Sequence, residues 1–358
     1  MSLAELLSSE NFFYMTYFNK TDAFLNDDFE FYRIYWAVEL TVTSLSIPYF
    51  VLICYLNITT NQNHRNMRLI YDVYFFHYFF YAFSRIFQIT ASTLVGYNLE
   101  TEFPIMLLIT SYVRSLVAAI AFLIISAFTF ERACATYFVG EYEARRHSWI
   151  FKTVYITLLI VGNTTAIWLH IGTIAIKIGL LSFVLLINAA TIVANYHIHQ
   201  INERYFEESH GENSCRTYSL AERYQISENI RTCKTFSQVF KCIIVVNVSA
   251  VSALAYGVVA TSPRQRNLAA AAFDGVAQIY VYAVPTVALI NSHLWKQKLF
   301  RGLAKLRLPS DFTTVGPLVQ IESTFGDNLN IDKSRHSQQY FDMLKESWDR
   351  PPRLFTPF

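Results

Sequence analysis

Charged residues are scarce in this chain, at 16 % of its 358 residues, whereas soluble domains carry about 25 %. The net charge is only +2 and the basic residues are not pooled in one tail, so the charge balance does not favour nucleic-acid binding. The sequence has no glycine-rich phosphate loop and no clustered catalytic residues, and the spacing of His197 and His199 does not place them on one helix face as metal ligands. These absences predict a protein that is not an enzyme and needs no cofactor or metal.

Long apolar runs dominate what is present. Apolar residues make up 53 % of the chain, and a helix needs about 20 mainly apolar residues to cross a bilayer core. Seven such runs follow one another: 34–56, 69–94, 105–130, 150–170, 174–196, 237–260 and 267–291. The sequence therefore predicts an all-α membrane protein, a bundle of seven transmembrane helices.

The stretches on either side of the runs complete the predicted organisation. Residues 1–33 are polar and acidic and are expected to form a short extracellular segment. Residues 34–306 hold the seven runs and the basic, apolar stretch Trp295–Leu303, whose helical spacing predicts an amphipathic helix on the inner leaflet. Residues 307–358 are polar and contain several prolines, which is typical of a cytoplasmic tail without a packed core.

The arginines and lysines predict which side of the membrane each loop occupies. If the amino end is outside, the predicted outer side carries only five basic residues: Lys20, Arg33, Lys177, Arg264 and Arg266. The predicted inner segments carry many more, and basic residues favour the cytoplasmic side. Asn19 begins an N-glycosylation sequon in the predicted outer segment. All five cysteines are expected on the reducing inner side, so no structural disulfide is expected.

The third inner loop is predicted to be the longest, over residues 197–236. Within it, Ser219 and Glu222 have the spacing of a capping box, in which each side chain satisfies a backbone N–H of the other residue. We therefore predict a helix that begins at Ser219 and continues without interruption into the sixth span. The sixth span is then expected to project into the cytoplasm by several turns.

Four charged residues lie well inside the predicted spans: Glu39, Arg85, Arg114 and Asp274. Asp72 and Lys241 lie near the inner ends, where their charged groups are expected to reach the membrane surface. Charges are costly in the hydrocarbon core and are candidates for function by default. At 1.5 Å of rise per residue, all four are expected in the outer half or near the midplane. They are expected either to neutralise one another or to line a polar pocket in which Arg114 or Asp274 contacts a ligand. The two alternatives are compatible.

An acid–arginine pair, Glu131 and Arg132, stands at the inner end of the third span. It resembles the Asp/Glu-Arg pair of rhodopsin-like receptors. In such a pair the acid holds the arginine in the resting state. Once released, the arginine is expected to contact the carbonyl groups at the C-terminus of a G-protein helix.

Two longer stretches carry a more specific resemblance. They are Glu131–Thr136 followed by Glu141–Glu143, and Leu220–Arg231, which reads LAERYQISENIR. Both are similar to signatures of the nematode serpentine chemoreceptors of class E, the Sre family. The resemblance covers nearly the whole chain.

The resemblance implies a G-protein-coupled receptor fold and a small environmental chemical as ligand. It implies a heterotrimeric G protein as partner and the plasma membrane of sensory neurons, at the cilium, as location. The residues expected to couple to the G protein are Glu131, Arg132, Glu222, Arg223, Tyr224 and Arg231.

Three other kinds of seven-span protein are weighed against this interpretation. A transporter of this size is expected to show internal repeats, and none is detectable. A ligand-gated channel of the insect receptor type has its amino end inside, opposite to the charge distribution here. A retinal-binding protein needs a lysine deep in the last span, and residues 267–291 contain none.

Overall fold

The computed structural model describes residues 12–15, 18, 20–60, 64–93, 99–140, 142, 147–210 and 219–307. In these ranges all regular structure is helical. The long helices are α1 (Phe29–Thr59), α2 (Arg65–Thr93), α3 (Pro104–Tyr137), α4 (Ser148–Ile171), α5 (Ile174–His210), α6 (Leu220–Val259) and α7 (Pro263–Asn291). They are followed by α8 (His293–Arg307). Two short helices, Lys20–Leu25 and Leu99–Glu102, precede α1 and α3. The predicted glycosylation site Asn19 and the predicted tail after residue 307 lie outside the described residues.

Six of these helices, α1 and α3 to α7, are long and apolar enough to cross a membrane. The predicted second span, α2, carries Asp72, His77, Arg85 and Gln88 among its aromatic residues, which makes it less apolar. Its tyrosines Tyr71, Tyr74, Tyr78 and Tyr81 are buried among neighbouring helices. Polar side chains inside a membrane protein face the bundle interior, so α2 completes the predicted bundle of seven helices.

The central helix of the bundle is α3. Of its most apolar stretch, 72 % is buried, compared with 28–39 % in the other five apolar helices. It packs against α2, α4, α5 and α6, and α6 in turn packs along both α5 and α7. Side chains on α3 can therefore contact most of the bundle, which makes this helix the natural place for polar networks that join several helices.

The two ends of the bundle are named here by the chain segments that they carry. The N-terminal face carries residues 12–15, 18 and 20–28 and the α4–α5 connection. The C-terminal face carries the end of α1, the start of α2, and α8. Only Gly172 and Thr173 separate α4 from α5. A Cβ atom at Gly172 would lie 2.4 Å from the carbonyl oxygen of Trp168, so this connection requires glycine.

The capping box at Ser219 is confirmed. The Ser219 hydroxyl accepts a hydrogen bond from the Glu222 backbone N–H at 3.2 Å, and the Glu222 carboxylate accepts one from the Ser219 N–H at 2.7 Å. The 40 residues of α6 span about 60 Å, which is about twice the hydrocarbon thickness. Helix α6 therefore extends well beyond the membrane, as predicted.

The start of the third inner loop was predicted too early. Helix α5 continues to His210, although residues from 197 onward were expected to form a loop. The reason is that a polar residue in this stretch, Asn202, is fully buried against other helices and stabilises the extra turns. A loss of apolar character therefore marked the edge of the membrane and not the end of the helix.

Helix α8 confirms the predicted amphipathic helix. Its Trp295 side chain is buried in the main apolar cluster of the bundle, and Phe300 is exposed. The Lys298 ammonium donates to the carbonyl oxygen of Thr59 at the end of α1, at 2.8 Å. Helix α8 is therefore anchored to the C-terminal face, with an apolar side available to the membrane surface.

Candidate functional site

The four charged residues predicted inside the membrane meet in one network near the N-terminal face, called here the outer network. The Arg85 Nε lies 2.5 Å from Glu39 Oε1, and its Nη2 donates to Glu39 Oε2 at 2.7 Å. The same Nη2 lies 2.7 Å from Asp274 Oδ2, and Arg114 Nη2 donates to Asp274 Oδ1. All four residues are buried. Two acids and two bases from α1, α2, α3 and α7 thus neutralise one another.

Uncharged groups hold the Arg114 guanidinium in place. Its Nη1 donates to the Gln88 side-chain oxygen at 2.8 Å, and its Nη2 donates to the Tyr81 hydroxyl at 3.2 Å. The Tyr81 hydroxyl also donates to Asp274 at 3.3 Å. The Arg114 Nε is buried without a hydrogen-bond partner. A guanidinium has five N–H donors, and the Nε donor is one that this network leaves unused.

A segment before α1 covers the bundle at the N-terminal face. The Met15 N–H donates to the Ser111 hydroxyl at 2.7 Å, and the Met15 side chain is fully buried. The Phe13 N–H donates to the His170 carbonyl oxygen at 2.9 Å, and His170 Nδ1 donates back to the Phe13 carbonyl oxygen at 2.6 Å. These contacts join the segment to α3 and α4, so residues 13–15 close this end of the bundle.

A cavity lies deeper in the bundle than the outer network. Its walls come from α2, α3, α6 and α7, and it contains about 620 Å³ of space that no protein atom fills, part of it open to the surroundings. Tyr81 belongs to both the cavity wall and the outer network. The cavity residue Ala118 lies one helical turn from Arg114, and Phe273 adjoins Asp274.

The predicted acid–arginine pair forms a second network near the C-terminal face, called here the inner network. Arg132 Nε donates to Glu131 Oε2 at 2.6 Å and Arg132 Nη2 donates to Glu131 Oε1 at 2.8 Å. The Tyr142 hydroxyl also donates to Glu131, at 2.5 Å. All three side chains are buried. Arg132 is therefore turned into the protein in this structure and has no surface to offer a partner.

The inner network extends from Arg132 to helices α5 and α6. Arg132 Nη1 donates to the Asn229 side-chain oxygen at 3.1 Å, and Asn229 Nδ2 donates to Asn202 Oδ1 at 3.1 Å. Asn202 Nδ2 donates to the Thr136 hydroxyl at 2.8 Å. The Gln225 amide also donates to Asn229, at 3.0 Å. The network thus connects α3, α5 and α6. Its polar side chains are buried, so they have few other hydrogen-bond partners.

Comparison with known proteins agrees with this arrangement. Residues 6–349 match the family model described as "Sre G protein-coupled chemoreceptor". The chain belongs to the Sre family. Serpentine receptor class epsilon-13 of Caenorhabditis elegans is 24 % identical over 361 residues, which cover 96 % of this chain and 99 % of that protein. Serpentine receptor class epsilon-12 of the same organism is 27 % identical over 224 residues, covering 61 % of this chain and 64 % of that protein.

This Sre receptor is therefore a chemosensory G-protein-coupled receptor and an integral protein of the plasma membrane. In general terms, a receptor of this family recognises a chemical ligand and signals through a G protein. Family membership also implies a receptor and not an enzyme. The outer network contains the four predicted ligand-binding residues, and the inner network contains two of the six predicted coupling residues, Glu131 and Arg132.

The remaining predicted coupling residues lie on the part of α6 that extends beyond the membrane. The Glu222 carboxylate belongs to the capping box that begins the helix. Arg223 and Tyr224 are exposed, and Arg231 is exposed beside a cleft that Trp295 also lines. The structure therefore does not bring these residues together with the buried Arg132.

Sequence reasoning missed the partners of both arginines in this receptor. Asn229 and Gln225 lie within the LAERYQISENIR stretch, where their four-residue spacing places them on one helix face. Asn202 lies in the stretch that was predicted to be a loop, so no signal connected it with α3. Gln88 lies near the end of the aromatic second span, and no signal in the sequence connected it with Arg114. The polar residues within apolar helices were the signal that could have found them.

Burial also alters two titratable groups that lie outside the membrane spans of the receptor. Burial lowers the pKa of His64, just before α2, to about 4, and the nearby Glu131 carboxylate opposes this only in part. His64 Nδ1 lies 4.0 Å from Glu131 Oε1. Burial and the Glu131 charge raise the pKa of Tyr142 above its ordinary value. His64 is therefore neutral at physiological pH, and Tyr142 keeps the proton that it donates to Glu131.

Proposed function

We propose that the outer network and the adjoining cavity form the ligand site of this chemoreceptor, and that the inner network is a resting-state lock that ligand binding opens. The observation that carries this proposal is the hydrogen bond from Arg132 on α3 to Asn229 on α6. It occupies the arginine and restrains α6 at the same time. A ligand shifts such an equilibrium only if it binds one helix arrangement better than the other.

The outer network supports a role in ligand detection. Arg114, Asp274, Arg85 and Glu39 come from four different helices, so a molecule that alters their pairing alters the relative position of those helices. Tyr81 connects the cavity with the outer network, because its side chain faces the cavity and its hydroxyl contacts both Arg114 and Asp274. A ligand that contacts Tyr81 changes the hydrogen bonds of the network without entering it.

Two helices reach from the cavity to the lock. On α3, 18 residues separate Arg114 from Arg132, and on α6 the same number separates Asn229 from the cavity residue Asn247. Each interval is about 27 Å of helix. A tilt of α6 at the cavity is therefore transmitted to Asn229 by a rigid element, and not by a chain of flexible side chains.

The G-protein site proposed here combines a buried group with an exposed surface. When α6 separates from α3, Arg132 leaves Asn229 and becomes accessible, with Glu131 as its remaining partner. Arg223, Tyr224 and Arg231 on the extension of α6 then contribute contacts to the G protein, and Glu222 maintains the start of that helix. This assignment predicts that coupling needs the buried arginine and the exposed surface together.

The proposal sets the N-terminal face outside the cell, in agreement with the arginine and lysine distribution. Asn19 then carries an N-linked glycan, and we propose the ciliary membrane of sensory neurons as the location of the receptor. Endoglycosidase treatment should increase the gel mobility of the wild type and leave Asn19→Gln unchanged. No glycan on the wild type, together with an amino-terminal epitope that antibodies reach only in permeabilised cells, would contradict this orientation.

The central test is a cell assay with a broad panel of small molecules and a calcium or cyclic-nucleotide readout. Both Arg114→Ala and Arg132→Ala should abolish the response. Receptor purified from the Arg132→Ala cells should still be stabilised against heat by the active compound, and receptor from the Arg114→Ala cells should not. Lys152→Ala, which changes an exposed residue of α4 outside both networks, serves as control at matched surface expression. Signalling by Arg132→Ala at the wild-type level would refute the proposed lock.

A further inference from the structure

We propose that the cavity takes a neutral, mainly apolar small molecule with one hydrogen-bonding group, and that Asn247 is the residue that recognises this group. This inference rests on the proposed function, because it assigns the chemistry of the ligand in the same cavity. It adds a residue that the outer network does not contain, on the helix that carries the lock.

The first observation is the state of the Asn247 side chain. It is 1 % exposed and lines the cavity, yet neither its amide nitrogen nor its amide oxygen has a hydrogen-bond partner. Buried amide groups in proteins nearly always have partners, and leaving them without one is costly. The partner must therefore come from within the cavity, and it must offer both a donor and an acceptor to satisfy the amide.

The second observation is that most of the other polar side chains around the cavity already have hydrogen-bond partners. The Tyr78 hydroxyl is bonded to Ser46, and the Tyr280 hydroxyl donates to the Ala121 carbonyl oxygen at 3.3 Å. His77 Nδ1 is bonded to the Val73 carbonyl oxygen at 2.7 Å. Among the lining side chains that the structure describes, Asn247 alone has buried polar atoms without a partner. The rest of the wall surface is mainly apolar, so the contact with Asn247 fixes the orientation of the ligand.

The third observation concerns charge. The ionic groups next to the cavity pair with one another, with two carboxylates balancing two guanidinium groups. No net charge remains to offset an ionised ligand. Moving an uncompensated ion into such a site is far more costly than moving a neutral polar group. An amide or an alcohol on a hydrocarbon body therefore fits the cavity, and an ammonium ion or a carboxylate does not.

A homologous series of seven-carbon compounds tests this chemistry on the full-length receptor in lipid nanodiscs. The series is heptane, 1-heptanol, heptanamide, heptylammonium and heptanoate, and the readout is the shift in thermal unfolding as a function of concentration. We expect heptanol and heptanamide to stabilise the wild type with about tenfold higher apparent affinity than heptane. Ala250→Phe, which fills the cavity, is the control for binding elsewhere. The two ions should shift the unfolding temperature of the wild type no more than they shift that of Ala250→Phe.

The matched variant is Asn247→Leu, which keeps the side-chain size and removes the amide. It should lose the preference for heptanol and heptanamide over heptane, because the polar group of the ligand no longer has a partner. It should also melt at a higher temperature than the wild type without ligand. Asn247→Ala provides the same comparison if the leucine variant does not fold. If either variant still bound heptanamide more tightly than heptane, the proposed role of Asn247 would be overturned.

Other outcomes are equally decisive. Equal affinity of the wild type for heptane and heptanamide would indicate that a water molecule satisfies Asn247, and would overturn the proposal. Absence of a shift with every member of the series would do the same. Strongest binding by an ionised member, lost in Arg114→Ala, would overturn the assignment of a neutral ligand and leave the proposed function intact. Failure of the proposed function is detected by a different experiment, in which Arg132→Ala would signal at the wild-type level.

Discussion

Arg132 on α3 and Asn229 on α6 are joined by a hydrogen bond of 3.1 Å between residues 97 positions apart in the chain. The same guanidinium forms two further bonds to Glu131, so its orientation is well determined. Asn229 is in turn held by Asn202 and Gln225. Movement of α6 away from α3 at this level must break this bond.

Replacing Asn229 by leucine should raise signalling in the absence of ligand. A hydrogen bond to a charged group contributes about 1.5–3 kcal/mol, so its loss should shift the resting equilibrium roughly 10- to 100-fold towards the open arrangement. Basal GTPγS binding by a co-expressed G protein measures the effect. Asn229→Asp, which offers Arg132 a carboxylate, should lower basal activity. Basal activity of Asn229→Leu at or below the wild-type level would be inconsistent with a lock.

Removing Arg132 alone should destabilise the receptor more than removing Arg132 and Glu131 together. Arg132→Met leaves the fully buried Glu131 carboxylate without its ionic partner, which costs about 3–5 kcal/mol. Glu131→Gln in the same chain should recover most of that loss. Thermal unfolding of the two single variants and the double variant gives the coupling free energy. Additive effects would mean that the pair contributes no stability as a unit.

Asp274→Ala should be among the most destabilising single changes in the outer network. It leaves the guanidinium groups of Arg85 and Arg114 buried with only Glu39 for charge balance, at a cost of about 3–5 kcal/mol. The matched control is Arg264→Ala, which removes an exposed ion pair to Asp28 and should change stability little. Thermal unfolding compares the two variants. An equal loss of stability in the two variants would show that the buried network stabilises the fold no more than an exposed ion pair.

The stability of the receptor should fall between pH 6.5 and pH 4 in a way that depends on His64. Its pKa is about 4 in the folded protein because of burial, and about 6.5 in the unfolded chain. As the pH falls through this window, the unfolded chain takes up a proton at His64 that the folded protein does not. The free energy of unfolding should therefore decrease, by up to about 3 kcal/mol, and level off below pH 4.

The measurement for His64 is the difference between the wild type and His64→Gln across this pH range, since other groups titrate in both proteins. On acidification, the free energy of unfolding of the wild type should fall more than that of His64→Gln. Curves that stay parallel from pH 7 to pH 4 would show that His64 ionises alike in both states.

Met15→Ala should destabilise the cover on the N-terminal face. The Met15 side chain is fully buried in an apolar cluster with Ala118, Phe122, Ala250 and Phe273, which also line the cavity. Truncating a core methionine to alanine costs about 2–5 kcal/mol. Leu25→Ala, at a side chain that is 81 % exposed, is the control and should have little effect. An unchanged unfolding temperature in Met15→Ala would show that the segment does not contribute to the fold.

Much of the architecture was predictable because its signals are local. Runs of about 20 apolar residues specify membrane helices, and the Ser219–Glu222 spacing specified the start of α6. The regular placement of apolar and basic residues around Trp295 specified α8. Depth along the helices was also predictable, which is why Glu39, Arg85, Arg114 and Asp274 were correctly expected at one level.

The partners of these residues depend on packing and could not be read from the chain. Arg114 lies 160 positions from Asp274, and Met15 lies 96 positions from Ser111. Nothing periodic in the sequence connects such distant residues. The same holds for Asn247, whose amide is isolated only because the helices around it leave a cavity. The sequence by itself determined that the chain forms seven membrane helices and which polar groups they carry, because hydropathy and capping act over a few turns. Only the tertiary structure decided which of those groups neutralise one another, and that the Asn247 amide is left without a hydrogen-bond partner, because both depend on how the helices pack.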